Sequence, residues 1–128
     1  MTSEIRVWLD DDLVDRPAPA GWTHAVTAWE AIELLDTGTV VELSLDHDLG
    51  DDDRCGTGNT VVNWLAEQQG VYDRVPWPRD GITLHTANAS GRARMAAGIR
   101  HEAGRRLRVR ESCTPGGKPV FRFEPRPQ

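Results

Sequence analysis

Three short apolar segments, each running directly into polar side chains, limit the folds open to this chain more than any other feature. The segments cover residues 5–9, 40–45 and 81–86, the last of which includes the first two residues of its polar end. Their polar ends are Asp10-Asp11-Asp12, Asp46-His47-Asp48 and His85-Thr86-Ala87-Asn88. Short apolar runs rich in β-branched and aromatic residues are typical of buried strands. The sequence therefore predicts three strands that each deliver chemically capable side chains at the carboxyl end.

Predicted helices alternate with these strands. Thr27 and Glu30 form a capping-box pattern before a helix that ends near Gly38, and a second helix is predicted over 59–69. A third is predicted from Gly91 to about Ala103, with Ser90 as its N-cap. Such alternation favours a mostly parallel sheet with helices on its faces, in which right-handed crossovers bring all carboxyl ends to one edge. Ligands bind at that edge in folds of this class.

The connecting segments complete a predicted single domain over residues 1–128. Two prolines, Pro17 and Pro19, exclude a regular helix between the first strand and a short strand at 23–26. Residues 50–58 are polar and contain glycine, which predicts a flexible loop whose aspartates Asp51-Asp52-Asp53 face solvent. Residues 75–78 predict a rigid connection, and Pro115-Gly116-Gly117 separates two strand-like runs, which predicts a C-terminal β-hairpin.

Composition excludes several classes of protein. A chain of 128 residues has the size of one ordinary domain. No apolar run reaches 18 residues and Met1 to Ile5 lack a signal-peptide pattern, so we expect neither a membrane partner nor secretion. Two cysteines are too few for a disulfide framework. The tryptophan spacing does not match a nucleic-acid platform, and duplex DNA is not an expected partner. A cytoplasmic protein is the expectation.

The formal net charge of −5 conceals an uneven distribution. Residues 1–64 carry 14 acidic and 3 basic side chains, whereas residues 65–128 carry 6 acidic and 12 basic ones. If the fold brings the halves together, carboxylates lie beside guanidinium groups, an arrangement that suits a cation together with a phosphate-like anion. The alternative interpretation is a solvated charged surface on each half.

The polar strand ends predict a metal site with acid–base groups beside it. Five clustered carboxylates repel one another unless they take up protons or hold a cation, and oxygen ligands favour Mg²⁺, Mn²⁺ or Ca²⁺. The carboxylates are Asp10, Asp11, Asp12, Asp46 and Asp48. The imidazoles of His47 and His85 can transfer protons near neutral pH, although a lone histidine is more often structural.

A phosphate site is predicted next to them. Thr86 and Asn88 can hydrogen-bond to phosphate oxygens, and Ser90 and Arg92 fall at a helix N-terminus, where an anion is stabilised.

These motifs resemble the receiver domains of two-component response regulators, and more closely a divergent branch, the cyclic-phosphate-processing receiver-like family (cREC). The motifs are Leu9-Asp10-Asp11-Asp12, Ser44-Leu45-Asp46-His47-Asp48-Leu49-Gly50, and His85-Thr86-Ala87-Asn88 followed by Met95. The resemblance covers roughly residues 5–100. It implies a receiver-like (flavodoxin-like) α/β fold, here without the first helix, in which the acid pair binds Mg²⁺ and Thr86 contacts a phosphoryl group.

The resemblance also implies what the site does. Our first hypothesis is a phosphoesterase that uses Mg²⁺ or Mn²⁺ to cleave a cyclic phosphate, on a small molecule such as a cyclic nucleotide or on an RNA end. Metal ligands are then Asp10, Asp11, Asp46 and, as an auxiliary, Asp12; the catalytic groups are His47, His85 and Asp48; the phosphate contacts are Thr86, Asn88, Ser90 and Arg92. The alternative is a non-catalytic nucleotide-binding or receiver-like interaction module. Phosphorelay signalling is disfavoured, because the only lysine, Lys118, falls in the predicted hairpin.

Overall fold

A six-stranded sheet forms the centre of the molecule. The computed structural model describes residues 3–74 and 76–127, so Val75 of the predicted rigid connection lies outside the described residues. The strands are β1 (Ile5–Leu9), β2 (Thr23–Ala25), β3 (Val40–Leu45), β4 (Ile82–Leu84), β5 (Leu107–Cys113) and β6 (Pro119–Pro125). Their order across the sheet is β2-β1-β3-β4-β6-β5.

The predicted mixed α/β fold with a C-terminal hairpin is confirmed. Strands β2, β1, β3 and β4 pair in parallel, and β6 runs antiparallel to both β4 and β5. Five strands therefore share one direction. The second strand of the hairpin, β6, lies between β4 and the first strand of the hairpin, β5. Because of this insertion, the turn between β5 and β6 reaches the same edge of the sheet as the ends of β1, β3 and β4.

Four helices connect the strands, and their bounds differ from the predicted ones in two places. They are α1 (Ala28–Asp36), α2 (Asp52–Cys55), α3 (Gly58–Gly70) and α4 (Ala89–Ala103). The short helix α2 lies in the segment predicted as a flexible loop, because the Asp51 carboxylate accepts from the Asp53 amide and caps it. Ser90 was predicted to be the N-cap of α4, but the N-cap is Asn88, because its side chain accepts from the Gly91 amide at 2.9 Å.

The sequence predicted helices on the faces of the sheet, but the helices do not flank it on both faces. Side chains from α1, α3 and α4 form one buried cluster with alternate residues of the strands, and Leu9, Leu43 and Leu84 are fully buried in it. The intervening strand residues, such as Trp8 and Thr83, point to the opposite face, which no helix covers within residues 3–74 and 76–127. The fold is therefore a helix layer on a sheet with one open face.

The segment between β1 and β2 is a loop, which confirms the predicted loss of the first helix of a receiver fold. His24 fixes this loop: its Nδ1 accepts from the Ala18 amide at 3.2 Å, and its Nε2 donates to the Asp10 carbonyl at 2.7 Å. The loop is thereby folded back over the end of β1. In the described part of the chain, no helix is both long and apolar enough to cross a membrane.

Candidate functional site

The carboxyl ends of β1, β3 and β4 meet at one edge of the sheet, as the parallel pairing requires. Asp10, Asp11 and Asp46 each place a carboxylate oxygen within 4.8 Å of the other two. Asp10 is fully buried and Asp46 is 6% exposed, whereas Asp11 is open to solvent. Three hard oxygen donors that converge in this way form a set that a divalent cation can bridge.

Arg16, from the loop after β1, lies among these acids. Its Nε donates to the Asp10 Oδ2 at 2.9 Å, and its terminal nitrogens lie 3.6 to 3.7 Å from oxygens of Asp11, Asp12 and Asp46. The bond to Asp10 raises the pKa of the guanidinium further, so it remains charged. These carboxylates therefore already bind one positively charged group of the protein, the Arg16 guanidinium. The guanidinium group that lies among these acids therefore comes from the first half of the sequence.

Asp10 is held by a buried hydrogen-bond chain. The Nε2 of His85 lies 3.0 Å from Asp10 Oδ2, and the Nδ1 of His85 lies 2.7 Å from the Ser44 hydroxyl. The indole of Trp8 stacks on the His85 ring, with centroids 3.9 Å apart and planes 5° from parallel. Burial lowers the pKa of His85 to about 4, so the ring is neutral at pH 7. It donates from Nε2 to Asp10 and accepts from Ser44.

Asp46 lies at the end of β3 in a tightly packed position. Burial, reinforced by the nearby charge of Asp10, raises its pKa, and a hydrogen bond from the Thr86 side chain opposes that rise. Behind it, the first residue of α3, Gly58, approaches so closely that a Cβ atom there would lie 2.1 Å from the Asp46 carbonyl oxygen. Gly58 therefore allows helix α3 to fix the position of Asp46.

Asp12 does not join the three-carboxylate cluster. Its Oδ1 accepts from the backbone amides of Val14 and Asp15, at 3.0 and 2.8 Å. These bonds, the one from Asp15 first, lower the pKa of Asp12. The Asp12 side chain thus shapes the turn of the loop that carries Arg16.

His47, Asp48 and Asn88 form a unit beside the cluster. The Nδ1 of His47 lies 3.0 Å from Asp48 Oδ1, and the amide of Asn88 donates to Asp48 Oδ2 at 3.0 Å. These bonds, that from His47 foremost, lower the pKa of Asp48. The His47 ring packs on Gly91, where a Cβ would lie 2.5 Å from it. Asn88 therefore joins the loop after β3 to the first turn of α4.

The remaining predicted phosphate contacts, Ser90 and Arg92, lie close to this unit, but their side chains are hydrogen-bonded within the protein. The Ser90 hydroxyl donates to the Asn88 side chain at 3.0 Å, and Arg92 donates to the backbone carbonyl of Thr86 at 3.2 Å. The structure therefore places Ser90 and Arg92 as supports of the strand end and of the helix cap.

A cleft of about 180 Å³ opens at this edge. Its walls are formed by Arg16, Asp46, Asp48, His85, Thr86, Ala87 and Asn88. Of the predicted residues, Asp46, Asp48, Thr86 and Asn88 thus face one space, whereas the ring of His47 packs to one side. Both ring nitrogens of His85 are hydrogen-bonded within the fold, so His85 contributes to the wall without offering a nitrogen.

Sequence reasoning missed Arg16, Trp8 and Ser44. A signal for Ser44 was present, because residues of β3 alternate between apolar and polar side chains: Val41-Glu42-Leu43-Ser44-Leu45. Trp8 is itself apolar and carries no such signal. Such alternation is typical of a sheet with one covered face, whereas strands covered on both faces are continuously apolar. No comparable pattern marks Arg16, since its place depends on how the loop folds back.

One comparison with known proteins identifies a family. The family model described as the cyclic-phosphate processing receiver domain matches residues 5–101. The chain belongs to this family. The match contains the three strand ends and most of α4, and it ends before the hairpin of this receiver-like domain. No curated protein and no solved structure shows a significant match to the chain.

Proposed function

We propose that this receiver-like domain is a metal-dependent phosphoesterase that opens a cyclic phosphate, on a cyclic nucleotide or on an RNA end. The observation that carries the proposal is the convergence of Asp10, Asp11 and Asp46 within 4.8 Å of one another, beside a cleft whose walls include Thr86 and Asn88. Family membership supports cyclic-phosphate processing as the setting.

The donor set fits a divalent cation such as Mg²⁺ or Mn²⁺. Asp10, Asp11 and Asp46 would hold it through carboxylate oxygens, and the position of Arg16 among them is consistent with a place that attracts positive charge. When bound, such an ion neutralises phosphate charge and lowers the pKa of a coordinated water.

Phosphate binding falls to residues at the cleft. The Asn88 side-chain amide donates to a nonbridging oxygen, and the Thr86 hydroxyl turns from Asp46 to donate to another when a ligand binds. Arg16 turns from the carboxylates to the phosphate when a ligand binds, since a guanidinium matches phosphate oxygens with paired donors. Ser90 and Arg92 position these groups by supporting Asn88 and Thr86.

Proton transfer is assigned to His47, with Asp48 and His85 as positioning residues. If the Nδ1–H of His47 is directed at Asp48, its Nε2 carries the lone pair and can accept a proton from the attacking water. The water oxygen then bonds to phosphorus, one ring P–O bond breaks, and the proton passes to the released oxygen. The product is a phosphomonoester. His85 keeps Asp10 oriented throughout, because both of its nitrogens are engaged.

A second function, ligand binding without turnover, is favoured by one observation. Neither histidine presents a ring nitrogen directly into the cleft, since His85 is buried and His47 packs on Gly91. The same carboxylates and donors would then hold a cyclic phosphate unchanged, as expected of a nucleotide-binding module.

Incubation of the purified chain with 2′,3′-cyclic AMP and Mg²⁺ or Mn²⁺, followed by ³¹P NMR, separates the two functions. We expect a phosphomonoester signal, and a loss of rate of at least about 10²-fold in Asp46→Asn. The control is Asp53→Asn, an exposed aspartate of α2. Retention of unaltered nucleotide by equilibrium dialysis supports the binding module, and the absence of both turnover and retention contradicts both functions.

A further inference from the structure

The open face of the sheet carries a second groove, which adjoins the cleft at the carboxylates. Its volume is about 270 Å³. Its lining includes Trp8, Trp22, Glu42, Thr83, Thr114 and Lys118. His85 forms part of the wall of both spaces, so a ligand at the strand ends lies next to the groove.

Two tryptophans give the groove a rigid aromatic wall. Trp8 is fixed on one side by its stacking on His85, and its Nε1 donates to the Arg16 carbonyl at 3.0 Å. Trp22 meets Trp8 edge-on, with centroids 6.3 Å apart and planes at 88°. Large apolar rings that no helix layer covers are unusual on a protein surface, and they suit a planar aromatic ligand.

The hairpin turn adds a cation to this wall. The Nζ of Lys118 lies 6.0 Å from the centroid of the Trp8 ring, on the turn that the inserted strand β6 brings to this edge. Hydroxyl groups of Thr83 and Thr114 add donors and acceptors. Glu42, the acidic residue of the lining, is paired with Arg6 at 3.0 Å. The groove therefore combines ring surface, the charge of Lys118 and short polar side chains, which is the chemistry that recognises a heteroaromatic base.

We propose that this groove holds the base of a nucleoside cyclic phosphate whose phosphate lies in the adjoining cleft. The inference rests on the proposed function for the phosphate half of the ligand and extends it by naming the substrate as a nucleoside derivative. The volume of about 270 Å³ is close to the lower end of whole-ligand pockets, roughly 300 Å³. It is therefore adequate for one part of a nucleotide. The base packs against the tryptophans, and Lys118 donates to an acceptor on its edge.

The sole lysine of the chain provides a direct reporter. Reductive ¹³C-methylation labels Lys118 and the terminal amine, keeps both charged, and gives one side-chain NMR signal. We expect that signal to shift with adenosine, which has no phosphate, and more strongly with 2′,3′-cyclic AMP and Mg²⁺. Glycerol 1,2-cyclic phosphate, which has no base, should leave it nearly unchanged.

Calorimetry on the full chain with Mg²⁺ measures the contribution of the groove to affinity. We expect 2′,3′-cyclic AMP to bind at least about tenfold more tightly than glycerol 1,2-cyclic phosphate, since one stacked base is worth about that much or more. Trp22→Leu should remove most of this preference and leave binding of the glycerol compound unchanged. Trp29→Leu is the matched control, because Trp29 lies exposed on α1, away from the groove.

The outcomes separate the two proposals. Equal affinity for both cyclic phosphates, with an unmoved Lys118 signal, overturns the base groove and leaves the phosphoesterase intact. A Lys118 shift with adenosine but no turnover of any cyclic phosphate supports the groove and contradicts the phosphoesterase. If light scattering shows a dimer that Trp22→Leu converts to monomer, a second copy covers this face and the groove proposal is wrong.

Discussion

The two faces of the sheet are built from alternate residues of the same strands, yet they have opposite characters. On the helix face, Val7, Leu43 and Ile82 are fully buried in an aliphatic cluster. On the open face, Trp8, Ser44 and His85 are linked by stacking and hydrogen bonds that lead to Asp10. The residues of a single strand thus stabilise the core on one face of the sheet and support the candidate site on the other. Substitutions on the two faces should therefore affect different measurements.

The largest effect on stability is expected on the helix face. Leu45→Ala removes a fully buried side chain at the end of β3 and should lower the free energy of unfolding by about 4 kcal/mol. Thr83→Ala, on the open face, should cost less than about 1 kcal/mol. Urea unfolding followed by circular dichroism compares them, and equal losses would contradict the division between the faces.

A smaller but still large effect is expected at the contact between α3 and β3. Gly58→Ala places a methyl group against the Asp46 carbonyl and the Met95 sulfur, and it should cost about 3 kcal/mol. Gly70→Ala, at the other end of the same helix, meets no atom within 4 Å and should be neutral within about 0.5 kcal/mol. Thermal unfolding of both variants tests the comparison, and an unperturbed Gly58→Ala protein would show that α3 does not fix Asp46.

The open face should dominate the acid dependence of stability in metal-free buffer. Because the pKa of His85 is lowered to about 4, the unfolded chain takes up a proton near pH 6.5 that the folded chain does not. The stability that the neutral His85 contributes is therefore fully present above pH 6.5, falls by about 2 to 3 kcal/mol as the pH drops toward 4, and changes no further below that. The raised pKa of Asp46 acts in the opposite direction.

Urea titrations of His85→Gln at several pH values isolate that contribution. The slope of stability between pH 6.5 and 4 should flatten in this variant, while His101→Gln, at an exposed histidine, should keep the parent slope. An NMR titration in which the His85 ring protonates near pH 6.5 would contradict the burial argument.

The smallest effect concerns Arg16, at the border of the two regions. Removing its guanidinium leaves the carboxylates without their internal cation, so Arg16→Gln should bind Mn²⁺ about tenfold more tightly, equivalent to about 1.4 kcal/mol. Arg94→Gln, an exposed arginine of α4, makes the same charge change away from the acids. Calorimetry with Mn²⁺ compares them, and equal affinities would show that Arg16 does not compete for the site.

Most of the fold followed from local patterns in the sequence. The parallel strands, the loop after β1 and the hairpin were predicted because apolar periodicity and the positions of Pro17, Pro19 and Gly116-Gly117 act over short distances. Helix α2 was missed because its four residues are stabilised by one aspartate cap and not by an apolar face. The single helix layer was missed although Glu42 and Ser44 break the apolar run of β3.

The candidate site was predictable in position but not in detail. Parallel pairing was sufficient to bring Asp10 and Asp46 together, because it follows from topology alone. The engagement of both His85 nitrogens and the place of Arg16 depend on side-chain packing and on a loop held by His24, for which local sequence carries no periodic signal.

The insertion of β6 between β4 and β5 has a practical consequence. Strand β4 obtains its second neighbour only from residues 119–125, beyond the family match at 5–101. A chain cut near residue 101 would leave the backbone groups of β4 unpaired along one side, and exposed strand edges pair with other molecules. Truncations designed on the family boundary should therefore aggregate, even though they retain every carboxylate discussed above.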